Sequence, residues 1–152
     1  TRGDYDICAM IAAFGPRSEG LTVEVWWSPH HPFKSSLTGE SSAELAAAYT
    51  RATGKPWTMP VGFKHSLFEV ALAAFKKAGG KGPKALRDAL RATDLDTIVG
   101  HVNFTKGPVP SVSKTPLVGG QWQKQGNGFE LLIVENSQAS MIPVGAKLNP
   151  IV

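Results

Sequence analysis

The chain has 152 residues, of which 42% are hydrophobic and 18% are charged, as is typical of one or two compact globular units. No apolar run is long enough to cross a bilayer, and the single cysteine, Cys8, excludes an internal disulfide and a cysteine-rich metal site. The formal charge of +4 comes from dispersed lysines and arginines without a basic aromatic stripe, so we expect no nucleic-acid partner. The sequence begins without a methionine or an apolar leader, which we interpret as a processed start or an excised piece.

The first third of the chain predicts a helix, a strand and a second helix. The apolar segment 5–14 favours a short helix, with a buried strand as the alternative. Residues 21–25 alternate apolar and polar side chains, which predicts a half-buried strand. Ser41 and Glu44 have the spacing of a capping box, and helical periodicity continues from there to a stop at Gly54.

The middle of the chain predicts two further helices and a β segment. A long helix is expected over residues 63–78, where Gly79 follows two lysines. Its apolar residues nearly encircle the axis, so both of its sides need covering. Pro83 opens another helix, and residues 95–104 predict β-structure interrupted at Gly100.

The end of the chain predicts a hairpin and a strap. Residues 117–123 and 129–135 flank a glycine-containing turn, as in a β-hairpin. Residues 140–152 contain two prolines and small apolar residues, which predicts a strap laid over the body. The order of elements indicates an α/β protein with too few central strands, so we expect it to be part of a larger body or to pair with a second copy.

Residues 23–36 are the most informative segment, because a strand ends there in two tryptophans followed by a loop with two histidines. Trp26 and Trp27 are adjacent in extended chain, so one ring can join the core while the other reaches a cleft. Pro29 and Pro32 restrict the backbone beside the histidines. The alternative is that both tryptophans serve only as core and rim packing.

From about residue 20 to residue 134, the chain resembles the C-terminal portion of periplasmic solute-binding proteins of ABC importers, of the branched-chain amino acid binding type. The motifs that carry the resemblance are 25–29 (VWWSP), 31–39 (HPFKSSLTG), 62–78, 95–100 (LDTIVG) and 115–122 (TPLVGGQW). The resemblance implies an α/β, type I periplasmic binding protein fold with two Rossmann-like lobes, of which only the C-terminal part is present.

The same resemblance implies how the chain is divided. Residues 1–26 would be the end of the C-terminal lobe and a crossing strand, 27–114 part of the N-terminal lobe, and 115–152 the return to the C-terminal lobe. The implied partners are a small-molecule solute, the membrane permease of an ABC importer, and either the missing N-terminal part of the same protein or a second copy. The implied location is the periplasm, or the outer face of a Gram-positive membrane through a lipid anchor.

Two lobes that close over a solute bind it without chemistry, so we expect no enzyme activity, no catalytic residue and no cofactor. The expected ligand contacts are Trp26, Trp27, Ser28, His30, His31 and His65. One of the tryptophans would be a stacking wall, and the serine and histidines would be polar contacts. We expect no metal, because the histidines lack a third ligand in the sequence.

Each of these assignments has an alternative. His65 stands where relatives carry a helix-opening tyrosine, but it is equally well placed to pair with Glu69 one turn later. His30 and His31 can belong to a solvated loop. A hydrolase that uses either histidine with Ser28 is the rival class, although no nucleophile elbow accompanies them.

The third alternative is a truncated or dimerising module that binds nothing. For the solute, tryptophan walls beside histidines favour an aromatic or other planar carboxylate, and the family as a whole favours a branched-chain amino acid or amide.

Overall fold

The computed structural model describes residues 7–151, so the expected processed start lies outside the described residues. The helices are α1 (Ile7–Phe14), α2 (Ser42–Thr53), α3 (Met59–Ala78) and α4 (Pro83–Arg91), with a 3-10 turn at Gly15–Ser18. The strands are β1 (Thr22–Val25), β2 (Asp94–Thr97), β3 (Gly100–Asn103), β4 (Val118–Gln125) and β5 (Gly128–Glu135). Every predicted element is present in the described part of the chain, and the helix prediction for residues 5–14 is confirmed from residue 7 onward.

Strands β1, β4 and β5 form one antiparallel sheet with β4 in the middle. Val25 on β1 lies opposite Val118 on β4, which places two buried apolar side chains side by side. The predicted β4–β5 hairpin is confirmed, and it turns through Gly126 and Asn127. Gly126 has a φ of 57°, a left-handed value that favours glycine at the start of a two-residue turn.

Helices α2, α3 and α4 pack with the β2–β3 hairpin in a second group of elements. The hairpin turn, Ile98 and Val99, is buried in an apolar cluster together with Trp27. Gly100 follows this turn and begins β3 with a φ of 103°, which confirms the predicted break within residues 95–104.

The helix ends follow local signals. Ser41 accepts the Glu44 amide while the Glu44 carboxylate accepts the Ser41 amide, so the predicted capping box is confirmed. Gly54 caps the end of α2 with a φ of 68°. The predicted start of α3 at residue 63 was four residues late, because Pro60 belongs to the first helical turn instead of a connector.

The C-terminal strap is confirmed over the described residues. The amides of Gly145 and Ala146 both donate to the Ile133 carbonyl of β5. Further along, the buried side-chain amide of Gln121 donates to the Asn149 carbonyl and accepts from the Asn149 amide, each at 2.9 Å. These bonds hold the strap to the sheet without an additional strand.

Two apolar clusters meet at the beginning of α3. The cluster on the sheet contains Val25, Val118 and Trp122, and Trp26 packs against it. The cluster on the helical side contains Trp27, and Phe63 packs against it. The segment that joins β1 to α2 therefore lies where the two groups of elements touch. The lobe boundaries proposed at residues 26 and 114 stay a prediction.

Candidate functional site

The two tryptophans that end β1 take different positions. Trp27 is completely buried, and its ring contacts Trp57 edge-to-face with 6.1 Å between centroids. A side-chain carbon on Gly62 of α3 would overlap the Trp27 ring, so this glycine allows the ring to lie directly on the helix backbone. Trp26 is only half-buried and contacts Phe63 edge-to-face, with 4.9 Å between centroids and an interplanar angle of 77°.

The two rings diverge as expected, and the structure shows that Trp27 is the one in the core. Trp27 presents no free face to a ligand, because the protein's own side chains surround it. Its indole nitrogen also has no hydrogen-bond partner among the described residues. Trp26 is therefore the tryptophan that can offer a stacking wall, whereas Trp27 belongs to the apolar cluster on the helical side.

Ser28 and His31 form a buried pair in the loop that follows Trp27. Ser28 Oγ lies 2.9 Å from His31 Nδ1 and also accepts the His30 amide at 3.3 Å. The other ring nitrogen of His31, Nε2, is buried with no partner among the described residues. Burial and, second, the neighbouring His30 lower the pKa of His31 from 6.5 to about 4. His31 is therefore neutral at pH 7 and keeps one unused hydrogen-bonding position.

The hydrolase alternative finds no support in this geometry. In a serine triad, a carboxylate orients the histidine that faces the serine. Within the described residues, no carboxylate is hydrogen-bonded to His31, and Ser28 has 0% of its surface exposed. Ser28 and His31 thus form a buried polar contact with no accessible nucleophile.

His65 bonds across to the loop that follows β1. Its Nε2 lies 2.7 Å from Ser35 Oγ, and that oxygen also accepts the amides of Leu37 and Thr38. The Ser35 hydroxyl hydrogen is consequently directed at His65, which therefore accepts through Nε2. The suggested pair between His65 and Glu69 is wrong, because both groups bond elsewhere.

Glu69 is a buried, fully bonded carboxylate, and from the sequence it was expected only as a possible partner of His65. Its side chain is completely buried on α3. One carboxylate oxygen accepts the Ser36 amide at 2.6 Å and the Ser36 hydroxyl at 2.8 Å, and the other accepts the Ile98 amide at 3.0 Å. A lone acid in an apolar helix was the available signal, and its three bonds tie the loop and the β2–β3 turn to α3.

Phe63 was also missed as a candidate, since it reads as an ordinary apolar position of a predicted helix. Its edge-to-face contact with Trp26 makes a pair of half-buried aromatic rings at the junction of the two groups of elements. His30 is exposed in the loop that follows Trp27. Among the described residues, His65 is hydrogen-bonded to none of the other five candidates.

No group of three histidine, cysteine, aspartate or glutamate side chains in residues 7–151 is arranged to hold a metal ion. His101 contacts Asp94 at 3.0 Å and Asp96 at 2.7 Å, but all three side chains are more than half exposed. None of the described helices is both long and apolar enough to span a membrane.

Comparison with solved structures defines the fold class: the chain has part of the α/β fold of type I periplasmic solute-binding proteins of ABC transporters. This confirms the expected fold class and, at the level of fold, the resemblance seen in the sequence. No family model matches the chain, and no curated protein matches it by sequence.

Three neighbours illustrate the match. A solute-binding protein from Rhodopseudomonas palustris BisB5, in complex with 3,4-dihydroxybenzoic acid, has a TM-score of 0.62 and 16% identity over 88% of this chain and 36% of its own. A leucine binding protein from Thermotoga maritima has a TM-score of 0.60 and 15% identity over 85% of this chain and 34% of its own. An R. palustris solute-binding protein in complex with benzoate has a TM-score of 0.56 and 17% identity over 91% of this chain and 36% of its own. The chain thus spans about a third of the length of these neighbours.

Proposed function

We propose that this chain is part of the extracytoplasmic solute-binding component of an ABC importer. The observation that carries the proposal is the fold shared with such proteins over 88% of the chain. The neighbours are transport proteins and not enzymes, which fits binding without turnover. In this role the protein closes two lobes over a solute and presents the closed form to a membrane permease, in the periplasm or on the outer face of the membrane.

The solute in this proposal is a small carboxylate, with an aromatic acid preferred over a branched-chain amino acid or amide. The half-buried Trp26 and Phe63 offer ring faces and edges of the kind against which a planar solute can stack. Two neighbours hold benzoate or 3,4-dihydroxybenzoate, and a third is a leucine binding protein, so both solute classes occur on this fold.

The polar contacts are proposed from the same region. His30 is exposed in the loop that follows Trp27, and His31 in the same loop has an unused ring nitrogen that a small rearrangement on closure can turn toward a carboxylate. Ser28 orients His31, and His65 lies near the beginning of α3 beside Ser35. Trp27 makes no ligand contact in this proposal, because it is completely buried.

The division into lobes belongs to the same proposal, with residues 1–26 and 115–152 in one lobe and 27–114 in the other. A site between two lobes needs both of them, and this chain spans about a third of its neighbours' length. We therefore propose that solute binding requires the rest of a two-lobed protein, either as a further part of the same polypeptide or supplied by a second chain.

Isothermal titration calorimetry on the complete product of the gene that encodes this chain tests the function. The probes are benzoate, 3,4-dihydroxybenzoate and leucine, each recovered afterwards and checked by mass spectrometry. We expect saturable binding of at least one aromatic acid, tighter than that of leucine, with the solute recovered unchanged. Leucine binding alone would reject the aromatic preference, whereas chemical conversion or no binding of any probe would reject the proposed function.

A further inference from the structure

Helix α3 carries an exposed apolar face on the outside of the described chain. Phe68, Leu72 and Phe75 follow one another at spacings of four and three residues, which places them on one side of the helix. They are 66%, 44% and 59% exposed, and the adjacent Leu67 is 70% exposed. These four side chains are called the α3 face below.

The opposite side of α3 carries mostly small and polar residues, together with Met59 and Phe63 in the first turns. Its buried positions include Gly62, Ser66, Glu69 and Ala74, which pack against the chain's own core. A helix at the surface of a finished domain shows the reverse arrangement, with its large apolar side chains inside. Phe68, Leu72 and Phe75 therefore face away from the part of the protein described here, as on a helix packed between two layers.

A groove of about 390 Å³ continues the α3 face toward the β2–β3 hairpin. Its lining includes Phe63, Leu67, Val70, Leu90 and Phe104. The face and the groove together form one apolar surface that ends at the buried cluster around Ile98 and Val99. A surface of this kind on a soluble chain marks a site that another polypeptide covers.

Charge indicates which kind of polypeptide. The exposed charged residues of α3 are all lysines, namely Lys64, Lys76 and Lys77, and its one carboxylate, Glu69, is buried and bonded to the loop and the hairpin turn. Lys64 and Lys76 flank the face, whereas Lys77 lies on another side of the helix and donates to the Ala92 carbonyl. Two copies packed face to face would therefore bring Lys64 and Lys76 of both copies together. The face instead fits an apolar surface with acidic residues at its edge.

We propose that the α3 face and its groove are the surface on which the rest of the two-lobed protein packs. This inference rests on the proposed function, and it identifies where the required remainder attaches. The occupant is an apolar layer of that remainder with an acidic rim. The solved neighbours support it, because about two thirds of each neighbour's length has no counterpart in this chain.

Cysteine accessibility tests the proposal. In a Cys8→Ser background, which removes the single native thiol, one variant carries Phe75→Cys on the α3 face and a matched control carries Arg51→Cys on the exposed side of α2. The rate of thiol labelling is measured in the 152-residue chain and in the complete gene product. Circular dichroism confirms that each variant is folded.

We expect both thiols to react rapidly in the 152-residue chain. In the complete product, labelling of Phe75→Cys should slow by about 100-fold or more, because it then waits for local opening, while Arg51→Cys keeps its rate. Equal labelling of Phe75→Cys in both proteins, or a gene product no longer than this chain, would overturn the proposal. Slow labelling of the 152-residue chain that depends on its concentration would instead identify a second copy as the occupant.

Titration of the unlabelled complete product with benzoate separates this inference from the proposed function. Protection of Phe75→Cys without solute binding would support the packing surface and reject the ligand assignment. Solute binding without protection would support the ligand assignment and reject the packing surface.

Discussion

Trp26 contacts Phe63 edge-to-face, with 4.9 Å between ring centroids, and the contact joins the end of β1 to the first turns of α3. Trp26 packs against the apolar cluster of the sheet, whereas Phe63 packs against the cluster on the helical side. The pair is therefore a half-buried aromatic bridge between the two groups of elements. Its position is the main structural reason for placing a planar solute there.

The first prediction concerns this bridge in the complete gene product. Trp26→Leu keeps an apolar side chain but removes the ring, so benzoate affinity should fall by about tenfold through loss of aromatic contact. The control is Phe14→Leu, which removes an aromatic ring that is 49% exposed on α1. Calorimetry gives the affinities and thermal unfolding verifies folding; equal affinities for the two variants would remove Trp26 from the site.

The second prediction concerns the close contact between Gly62 and Trp27. Replacing a helical glycine by alanine usually stabilises a helix by about 1 kcal/mol. Here the added methyl group meets the Trp27 ring, so Gly62→Ala should lower the free energy of unfolding by about 1–3 kcal/mol. Urea denaturation of the 152-residue chain measures the change.

Ser66→Ala is the matched control for that experiment, since it alters another small buried residue one turn further along α3 without adding a carbon. It should change the unfolding free energy much less than Gly62→Ala does. A stabilised Gly62→Ala protein would show that Trp27 is not packed on the helix backbone.

The third prediction concerns the buried carboxylate of Glu69. Glu69→Ala leaves the Ile98 amide without its acceptor and releases Ser36, so the free energy of unfolding should fall by about 3 kcal/mol. Glu130→Ala, at an exposed position of β5, should change it by less than about 0.5 kcal/mol.

Hydrogen exchange at the Ile98 amide distinguishes a specific loss of this bond from general destabilisation. In Glu69→Ala, exchange at Ile98 should accelerate more than exchange in the β4–β5 hairpin does. A uniform acceleration across both regions would contradict the assigned role of Glu69 as a tie between α3 and the hairpin turn.

The fourth prediction is a pH dependence that originates at His31. Its pKa is about 4 in the folded protein against 6.5 for the ordinary side chain, so between these values the unfolded chain binds a proton that the folded chain does not. The contribution of His31 to the free energy of unfolding is thus fully present above pH 6.5. It decreases as the pH falls toward about 4, by a total of about 3 kcal/mol.

Unfolding of wild type and His31→Gln at pH 7 and pH 4.5 measures this dependence. The difference in unfolding free energy between the two proteins should shrink at the lower pH, whereas His101→Gln, at an exposed histidine, should follow wild type more closely. An equal change in unfolding free energy between pH 7 and pH 4.5 for wild type and His31→Gln would show that His31 is not held neutral by burial.

Local features of the fold could be predicted from the sequence. The capping box of Ser41 and Glu44 and the left-handed glycine at position 54 act within one helical turn, so their residue types are sufficient to define the ends of α2. Pro60 was ambiguous, because proline is equally suited to a connector and to the first turn of a helix. That ambiguity explains the late start predicted for α3.

The candidate site was only partly accessible from the sequence. Alternation along β1 predicted that the two tryptophans would diverge, but it could not say which ring is buried. That choice depends on Gly62, which lies 35 positions beyond Trp27 and leaves room for its ring. Likewise, His65 and Glu69 both bond to a loop about 30 residues away, whereas spacing within one helix allowed a pair between them that does not form.

By itself, the sequence determined the order of elements, their local caps and turns, and the resemblance to a family of solute-binding proteins, because these depend on residues that are neighbours along the chain. Only the tertiary structure decided that Trp27 is enclosed, that Trp26 meets Phe63, and that Phe68, Leu72 and Phe75 of α3 face outward. These depend on contacts between distant segments, whose geometry is set by packing and by the pairing of buried polar groups.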